Sequence, residues 1–166
     1  LKNKILKSEK SSPPFPILAL FDSPELQKAS AEIWIKENFS KENFIKKITK
    51  KESEKKIRIG YYSADYYEHA TSYLMVELIE IHDKSKFEIF GFSFSPKKDD
   101  KMGKRISKAF DKFIDVNLKT DKEIAQLSRD LKIDIAIDLK GFTQFSRFGI
   151  FLERCAPIQV NYLGHP

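Results

Sequence analysis

His69 is well placed to carry chemistry, because it stands in a polar loop between a predicted strand and a predicted helix. The run from Ile57 to Ser63 is strand-like, and a helical pattern begins near Thr71. Ligands of open α/β sheets bind in the crevice at the carboxyl ends of the strands. A histidine just past the first strand is therefore in a place where chemistry can occur. The same spacing also fits a helix cap or a half-buried, hydrogen-bonded ring.

A second loop supplies groups that suit a polar ligand. Lys140, Gly141 and Thr143 follow the strand predicted at 133–139 and provide a cation, a permissive glycine and a hydroxyl. Such a set can hold sugar or phosphate oxygens. An ordinary turn would have the same composition, and the sequence alone leaves both interpretations open.

Two further positions complete the candidate site. Asp65, in the loop of His69, could cap that loop, as we favour, or orient the imidazole. Gly164 and His165 follow the last predicted strand, and we assign no catalytic role to His165.

Strand and helix patterns alternate from residue 57 onward. Strands are predicted at 57–63, 87–94, 113–116, 133–139 and 158–162, with helices at 71–82, 101–112, 120–131 and 147–153. This alternation predicts an α/β, Rossmann-like, mostly parallel five-stranded sheet with helices on both faces. Right-handed crossovers would then place His69, Lys140 and His165 at one edge. The apolar spacing of the first of these helices predicts a buried face of Leu74, Leu78 and Ile81.

Four segments are predicted along the chain. Residues 1–12 are rich in lysine and serine and should form a disordered basic tail. Residues 13–45 should form a helical arm, with an extended lead-in at 13–16 and a helix capped by Ser23. Residues 46–56 read as a mobile lysine-rich linker, and residues 57–166 as the Rossmann-like domain.

The net charge of +6 is not spread evenly over the 166 residues. Residues 1–56 carry 13 lysines against 8 acidic residues, whereas residues 57–166 carry 17 basic and 16 acidic residues. The basic run lacks arginines and interleaved aromatic side chains, so we expect no nucleic-acid partner. The sequence has no apolar run long enough to span a membrane and no signal core, so we expect no membrane association and a cytoplasmic location.

Several chemistries are disfavoured by the motifs that the sequence lacks. There is no dinucleotide-binding G-x-G-x-x-G after the first strand, no phosphate-binding P-loop and no D-x-D metal clamp. Cys155 is the single cysteine and is expected to be a small, half-buried apolar residue rather than a nucleophile. We therefore expect metal-free chemistry without a cofactor.

Three segments resemble the catalytic region of the protein O-GlcNAc transferases, the SPINDLY-like glycosyltransferases linked to tetratricopeptide repeats. Ser63-Ala64-Asp65-Tyr66 followed by His69-Ala70 is similar to the family's S-[AS]-D-[FY] and its histidine. Asp138-Leu139-Lys140-Gly141-Phe142-Thr143 is similar to D-L-x-G-[YF]-T. The run from Arg154 to Pro166 is similar to R-P-A-P-I-Q-V-x-[YW]-L-G-[YH]-P.

This resemblance implies the N-terminal, Rossmann-like half of a two-domain GT-B glycosyltransferase. Such an enzyme moves N-acetylglucosamine from UDP-GlcNAc to a serine or threonine hydroxyl of an acceptor protein or peptide, with inversion. His69 would be the catalytic residue, as a base or as an orienting group. The substrate-binding residues would be Asp65, Lys140, Gly141, Thr143 and Gly164.

The second domain of such enzymes holds most of the UDP-sugar and has no counterpart in these 166 residues. We therefore expect the chain alone to transfer no sugar and to bind UDP weakly or not at all. Two alternatives stay open from the sequence. The chain could be a truncated, non-catalytic remnant that acts as a binding module, or part of a different Rossmann-like sugar-nucleotide enzyme.

Overall fold

A computed structural model describes residues 1–9, 12–39, 48, 56–95 and 99–165. The chain divides into two compact units, Leu1–Phe44 with His165 and Ile45–Gly164 with Pro166. The predicted linker at 46–56 lies almost entirely outside the described residues, and its mobility stays a prediction.

The first unit contains three helices, α1 (Lys2–Leu6), α2 (Pro14–Leu20) and α3 (Pro24–Asn38). The Ser23 hydroxyl accepts a hydrogen bond from the Leu26 N–H at 3.3 Å and so caps α3, as the sequence predicts. The core of this unit consists of Ile5, Ile17 and Leu26, with Phe21, Ala29 and Ile33 packed around it.

Two parts of this unit differ from the sequence-based expectation. Residues 2–6 form α1 instead of a disordered tail, because Ile5 is 2% exposed and packs into the small core. Burial of one isoleucine contributes about 1.5–3 kcal/mol, which a lysine-rich composition does not reveal. The expected extended lead-in is also helical from Pro14, since proline is tolerated in the first turn, where its missing N–H would be unpaired.

The second unit is built on a five-stranded, all-parallel sheet in the order β3-β2-β1-β4-β5. Its strands are β1 (Ile57–Ser63), β2 (Phe87–Ser93), β3 (Lys112–Asp115), β4 (Ile135–Asp138) and β5 (Ile158–Asn161). Its helices are α4 (Ala70–Glu80), α5 (Lys101–Ala109), α6 (Asp121–Asp130) and α7 (Phe148–Leu152). The predicted α/β class, the parallel sheet and its five strands are confirmed.

Helices cover both faces of the sheet, as predicted. On one face, α4 and α5 pack on β1 and β2 through side chains that include Met75, Ile79, Ile106, Ile59 and Ile89. On the other face, α6 and α7 pack through Ile124, Ala125, Ile150, Tyr62 and Phe92. The Tyr62 and Phe92 rings stack with centroids 4.4 Å apart, which fixes β1 against β2 on this face.

The predicted buried face of α4 is wrong. Leu74 is 67% exposed and Ile81 is 77% exposed, while Leu78 is also exposed. The helix has apolar residues on two sides, and the side that meets the sheet is instead Ser72, Met75, Val76 and Ile79. Spacing identified a helix but not its inward face, because both stripes follow the same period.

Cys155 lies in the core between the sheet and α7, with no exposed area. Burial raises the pKa of its thiol to about 12. Because the thiolate is the reactive species, the structure supports the expected inert, apolar role, and the thiol is more deeply buried than predicted.

We predict that the folded chain reacts very slowly with iodoacetamide at pH 8, because only roughly one thiol in ten thousand is ionised at a pKa near 12. The measurement is mass-spectrometric labelling of Cys155 with and without urea. Unfolding should restore ordinary reactivity. Rapid labelling of the native protein would contradict the buried position.

Candidate active site

Three loops meet at the carboxyl edge of the sheet, because β1, β4 and β5 are parallel neighbours. The β1 loop carries Asp65 and His69, the β4 loop carries Lys140, and the β5 loop carries Gly164. The sequence predicted that the loops after β1, β4 and β5 lie at one edge, and the side-chain contacts below join the first two directly.

A buried ion pair links the β1 and β4 loops. Lys140 Nζ donates to Asp65 Oδ2 at 2.5 Å, and the two side chains are 6% and 4% exposed. The Asp65 backbone is fixed as well, since its N–H donates to Ser63 Oγ at 3.0 Å and its carbonyl accepts from Ser72 Oγ at 2.6 Å. Asp65 therefore neutralises a buried cation, a role that neither loop capping nor imidazole orientation anticipated.

His69 is the N-cap of α4. Its Nδ1 accepts a hydrogen bond from the Thr71 N–H at 3.2 Å, and Asp65 Oδ2 lies 3.7 Å from the same nitrogen. An imidazole nitrogen that accepts a hydrogen bond carries no proton, so the neutral ring in this geometry has its proton on Nε2. With a side chain 40% exposed, His69 is thus built to donate from Nε2.

The same geometry defines what His69 needs in order to act as a base. To accept a proton at Nε2, the neutral ring must carry its single N–H proton on Nδ1. That proton would then face the Thr71 N–H. The Asp65 carboxylate, 3.7 Å from Nδ1, is the group that could receive that proton's hydrogen bond. Asp65 therefore stands at the switch between the donating and the accepting form of the ring.

The Lys140 loop is a closed turn built on Asp138. The Asp138 carboxylate accepts the backbone N–H groups of Lys140 at 2.8 Å and Gly141 at 3.2 Å. Burial raises the pKa of Asp138, and these two N–H bonds partly oppose that shift. Thr143 Oγ1 donates to the Lys140 carbonyl at 2.7 Å, and Gly141 adopts a φ of 51°, which favours glycine.

Gly164 places the β5 loop directly against this turn. A Cβ at position 164 would overlap the carbonyl group of Lys140 and the N–H of Gly141, so only glycine allows the two backbones to approach this closely. The residues proposed from the sequence for substrate binding therefore lie together. The side chains of Asp65 and Lys140 join two loops, and Gly141 and Thr143 are hydrogen-bonded within the β4 loop. Their contact with substrate stays a prediction.

Tyr67 is a member of this cluster that sequence reasoning missed. Burial and then the neighbouring Asp65 carboxylate, to which Tyr67 is hydrogen-bonded, raise the pKa of the phenol. Its ring also lies 5.5 Å from that of His69. The only sequence signal for Tyr67 is its closeness to Asp65 in the chain. Tyr66 is equally close, but its hydroxyl donates to the Tyr61 carbonyl instead.

The described ranges contain no group of three or more histidine, cysteine, aspartate or glutamate residues that could hold a metal ion. The expectation of metal-free chemistry stays a prediction. In the same part of the chain, no helix is both long enough and apolar enough to cross a membrane.

Comparison with known proteins decides the family. The model of glycosyl transferase family 41 matches residues 31–166. The chain belongs to this family. Its resemblance to the protein O-GlcNAc transferases is thereby confirmed, and the possibility of an unrelated Rossmann-like sugar-nucleotide enzyme is not supported.

Individual relatives in glycosyl transferase family 41 match the same region. The chain is 36% identical over 112 residues to the probable UDP-N-acetylglucosamine–peptide N-acetylglucosaminyltransferase SEC of Arabidopsis thaliana, covering 68% of the chain and 12% of that protein. It is 35% identical over 116 residues to the Caenorhabditis elegans UDP-N-acetylglucosamine–peptide N-acetylglucosaminyltransferase, covering 67% and 10%.

A solved structure shares the fold. It is a mutant of the Thermobaculum terrenum O-GlcNAc transferase, with a TM-score of 0.64 and 33% identity over 67% of this chain and 21% of that one. The chain thus spans about a fifth of that structure's length and 12% and 10% of the two relatives above.

We predict that Lys140→Met lowers the free energy of unfolding by about 3–5 kcal/mol, because it leaves the buried Asp65 carboxylate without its cation. The double variant with Asp65→Asn should recover most of this loss. Urea unfolding followed by circular dichroism measures both. As a control, Lys104→Met removes an exposed ion pair with Asp99 and should cost less than about 1 kcal/mol. Equal losses at both positions would contradict a desolvated pair.

We predict that neutral His69 has its proton on Nε2, because Nδ1 accepts the Thr71 N–H. Long-range ¹H–¹⁵N correlation spectra of the imidazole distinguish the two tautomers by the chemical shifts of the ring nitrogens. His82, whose two ring nitrogens contact the Leu78 carbonyl and the Tyr61 hydroxyl, gives an internal reference. A protonated Nδ1 in neutral His69 would show that the ring is paired with Asp65 instead.

Proposed function

We propose that this chain is the acceptor-side part of an inverting glycosyltransferase that moves N-acetylglucosamine from UDP-GlcNAc to serine or threonine hydroxyls of a protein. The supporting observation is that the match to glycosyl transferase family 41 runs through the loops that carry His69, Lys140 and Gly164. The named relatives are UDP-N-acetylglucosamine–peptide N-acetylglucosaminyltransferases, which supports the same donor and acceptor class.

His69 is the residue we assign to the acceptor hydroxyl. In its capping form, the Nε2–H can donate a hydrogen bond to that oxygen and fix its orientation. In the form paired with Asp65, Nε2 can accept the hydroxyl proton as the glycosidic bond forms. Both roles use the same exposed nitrogen, and the Asp65 carboxylate stabilises the ring in the second.

The charges at this edge favour the acceptor over the donor diphosphate. Lys140 is neutralised by Asp65, and Arg147, the next cation along the β4 loop, is paired with Asp121. We therefore propose that the UDP-sugar is held largely by a domain beyond these residues, without a metal ion. Nucleic acid and membrane are not proposed as partners, and the expected cytoplasmic location remains a proposal.

The test is transfer of labelled N-acetylglucosamine by the full-length protein that contains this chain, with His69→Asn and His69→Ala. Asparagine is a good N-cap, so His69→Asn should keep the stability of α4 while removing the imidazole. We expect kcat to fall by about 10²–10⁴ in both variants. Only His69→Ala should also lose about 1 kcal/mol of stability.

The paired variants separate function from folding. If His69→Asn keeps wild-type kcat, His69 acts only as a cap and its catalytic assignment fails. If the wild-type protein binds peptide without transferring sugar from UDP-GlcNAc, the enzymatic proposal fails, and a binding module is the better description.

A further inference from the structure

Among the described residues of the second unit, four other than glycine adopt a left-handed backbone, with φ between 54° and 71°. They are Lys132, Phe145, Arg154 and Leu163. Lys132 and Arg154 directly follow the C-cap residues of α6 and α7, where a left-handed residue commonly ends a helix. Phe145 and Leu163 have no such explanation, because they lie in the loops that follow β4 and β5.

Phe145 and Leu163 also combine this strained backbone with exposure. The Phe145 side chain is 67% exposed and Leu163 is 46% exposed, although both are large and apolar. A bulky residue in this conformation costs free energy that glycine would avoid. Both residues lie at the edge of the sheet that carries His69. Neither side chain is part of the buried core, so core packing does not explain the strained backbone or the exposed apolar surface.

The loop that carries Phe145 is braced on both sides. The Ser146 N–H, directly after Phe145, donates back to the Thr143 carbonyl at 3.3 Å and closes a turn around Phe145. After it, Arg147 donates to the Asp121 carboxylate and to the Lys119 carbonyl at 2.8 Å. The Phe142 and Phe148 rings pack across the base of the loop with centroids 4.2 Å apart. The exposed ring is therefore presented by a fixed loop rather than by a mobile one.

We propose that Phe145 and Leu163 are contacts for the polypeptide acceptor, a proposal that rests on the transferase function given above. A rigid, exposed aromatic ring offers a large apolar contact at a small entropic cost, as in binding hot spots. The nearby cations are already in ion pairs, Lys140 with Asp65 and Arg147 with Asp121. This surface therefore suits an uncharged stretch of polypeptide. A nucleotide diphosphate would instead require free positive charge.

The test uses Phe145→Gly, which removes the ring and at the same time relieves the left-handed backbone. In the full-length protein that contains this chain, we expect the KM for an acceptor protein to rise about tenfold. The KM for UDP-GlcNAc, the hydrolysis of UDP-GlcNAc without acceptor and the urea midpoint should not fall. Leu163→Gly should act in the same direction, and Phe145→Tyr should restore the acceptor KM.

Lys132→Gly is the matched control. It relieves a similar backbone conformation, φ 54° against 62°, at an exposed position after α6. Lys132→Gly should raise the urea midpoint, as Phe145→Gly should, and it should leave the KM values for acceptor and donor and the kcat unchanged. An unchanged acceptor KM in Phe145→Gly would overturn the proposal, and so would a rise confined to the donor KM. A loss of stability would show that the ring is packed rather than presented.

Direct binding separates this inference from the proposed function. Fluorescence anisotropy with a labelled pool of short peptides, each with a central serine and randomised flanks, requires no sugar transfer. About tenfold weaker binding by Phe145→Gly supports the acceptor contact even if the wild-type protein transfers nothing. Equal binding by both proteins overturns the contact even if transfer by the wild type is efficient.

Discussion

The geometry of the candidate site depends on one ion pair, in which Lys140 and Asp65 neutralise each other inside the sheet edge. The two residues are 75 positions apart in the chain, and they meet because β1 and β4 are adjacent parallel strands. Two charges withdrawn from water are tolerated only when they are well paired and otherwise hydrogen-bonded. The pair therefore joins the β1 and β4 loops, and the β5 loop packs against the backbone of Lys140 and Gly141 at Gly164.

In this arrangement, the groups that hold the loops in place are different from the group that could react with a substrate. Asp138, Gly141 and Thr143 form the Lys140 turn. The exposed groups at the edge include the His69 imidazole and the apolar side chains of Phe145 and Leu163. A precise site commonly needs such a shell, because a reacting group must be held within a fraction of an ångström of its productive position.

The sequence predicted the fold well because its signals are local and repeated. Alternating strand and helix periods identify β1 to β5 and α4 to α7, and parallel topology then places the loops at one edge. The Asp65–Lys140 pair could not be read in this way, since it depends on how far two side chains reach across neighbouring strands. The buried face of α4 failed for another reason: Leu74 and Met75 are both apolar, and periodicity does not say which of them meets the sheet.

The capping bond of His69 links the protonation state of its ring to the order of the backbone. An imidazolium has hydrogens on both nitrogens, so it cannot accept the Thr71 N–H, and the first turn of α4 then loses its side-chain acceptor. The ring therefore cannot cap α4 and donate from Nδ1 to Asp65 at the same time. A ring that is to accept a hydroxyl proton at Nε2 must therefore give up the cap first, and the start of α4 regains its side-chain acceptor only when Nδ1 loses its proton.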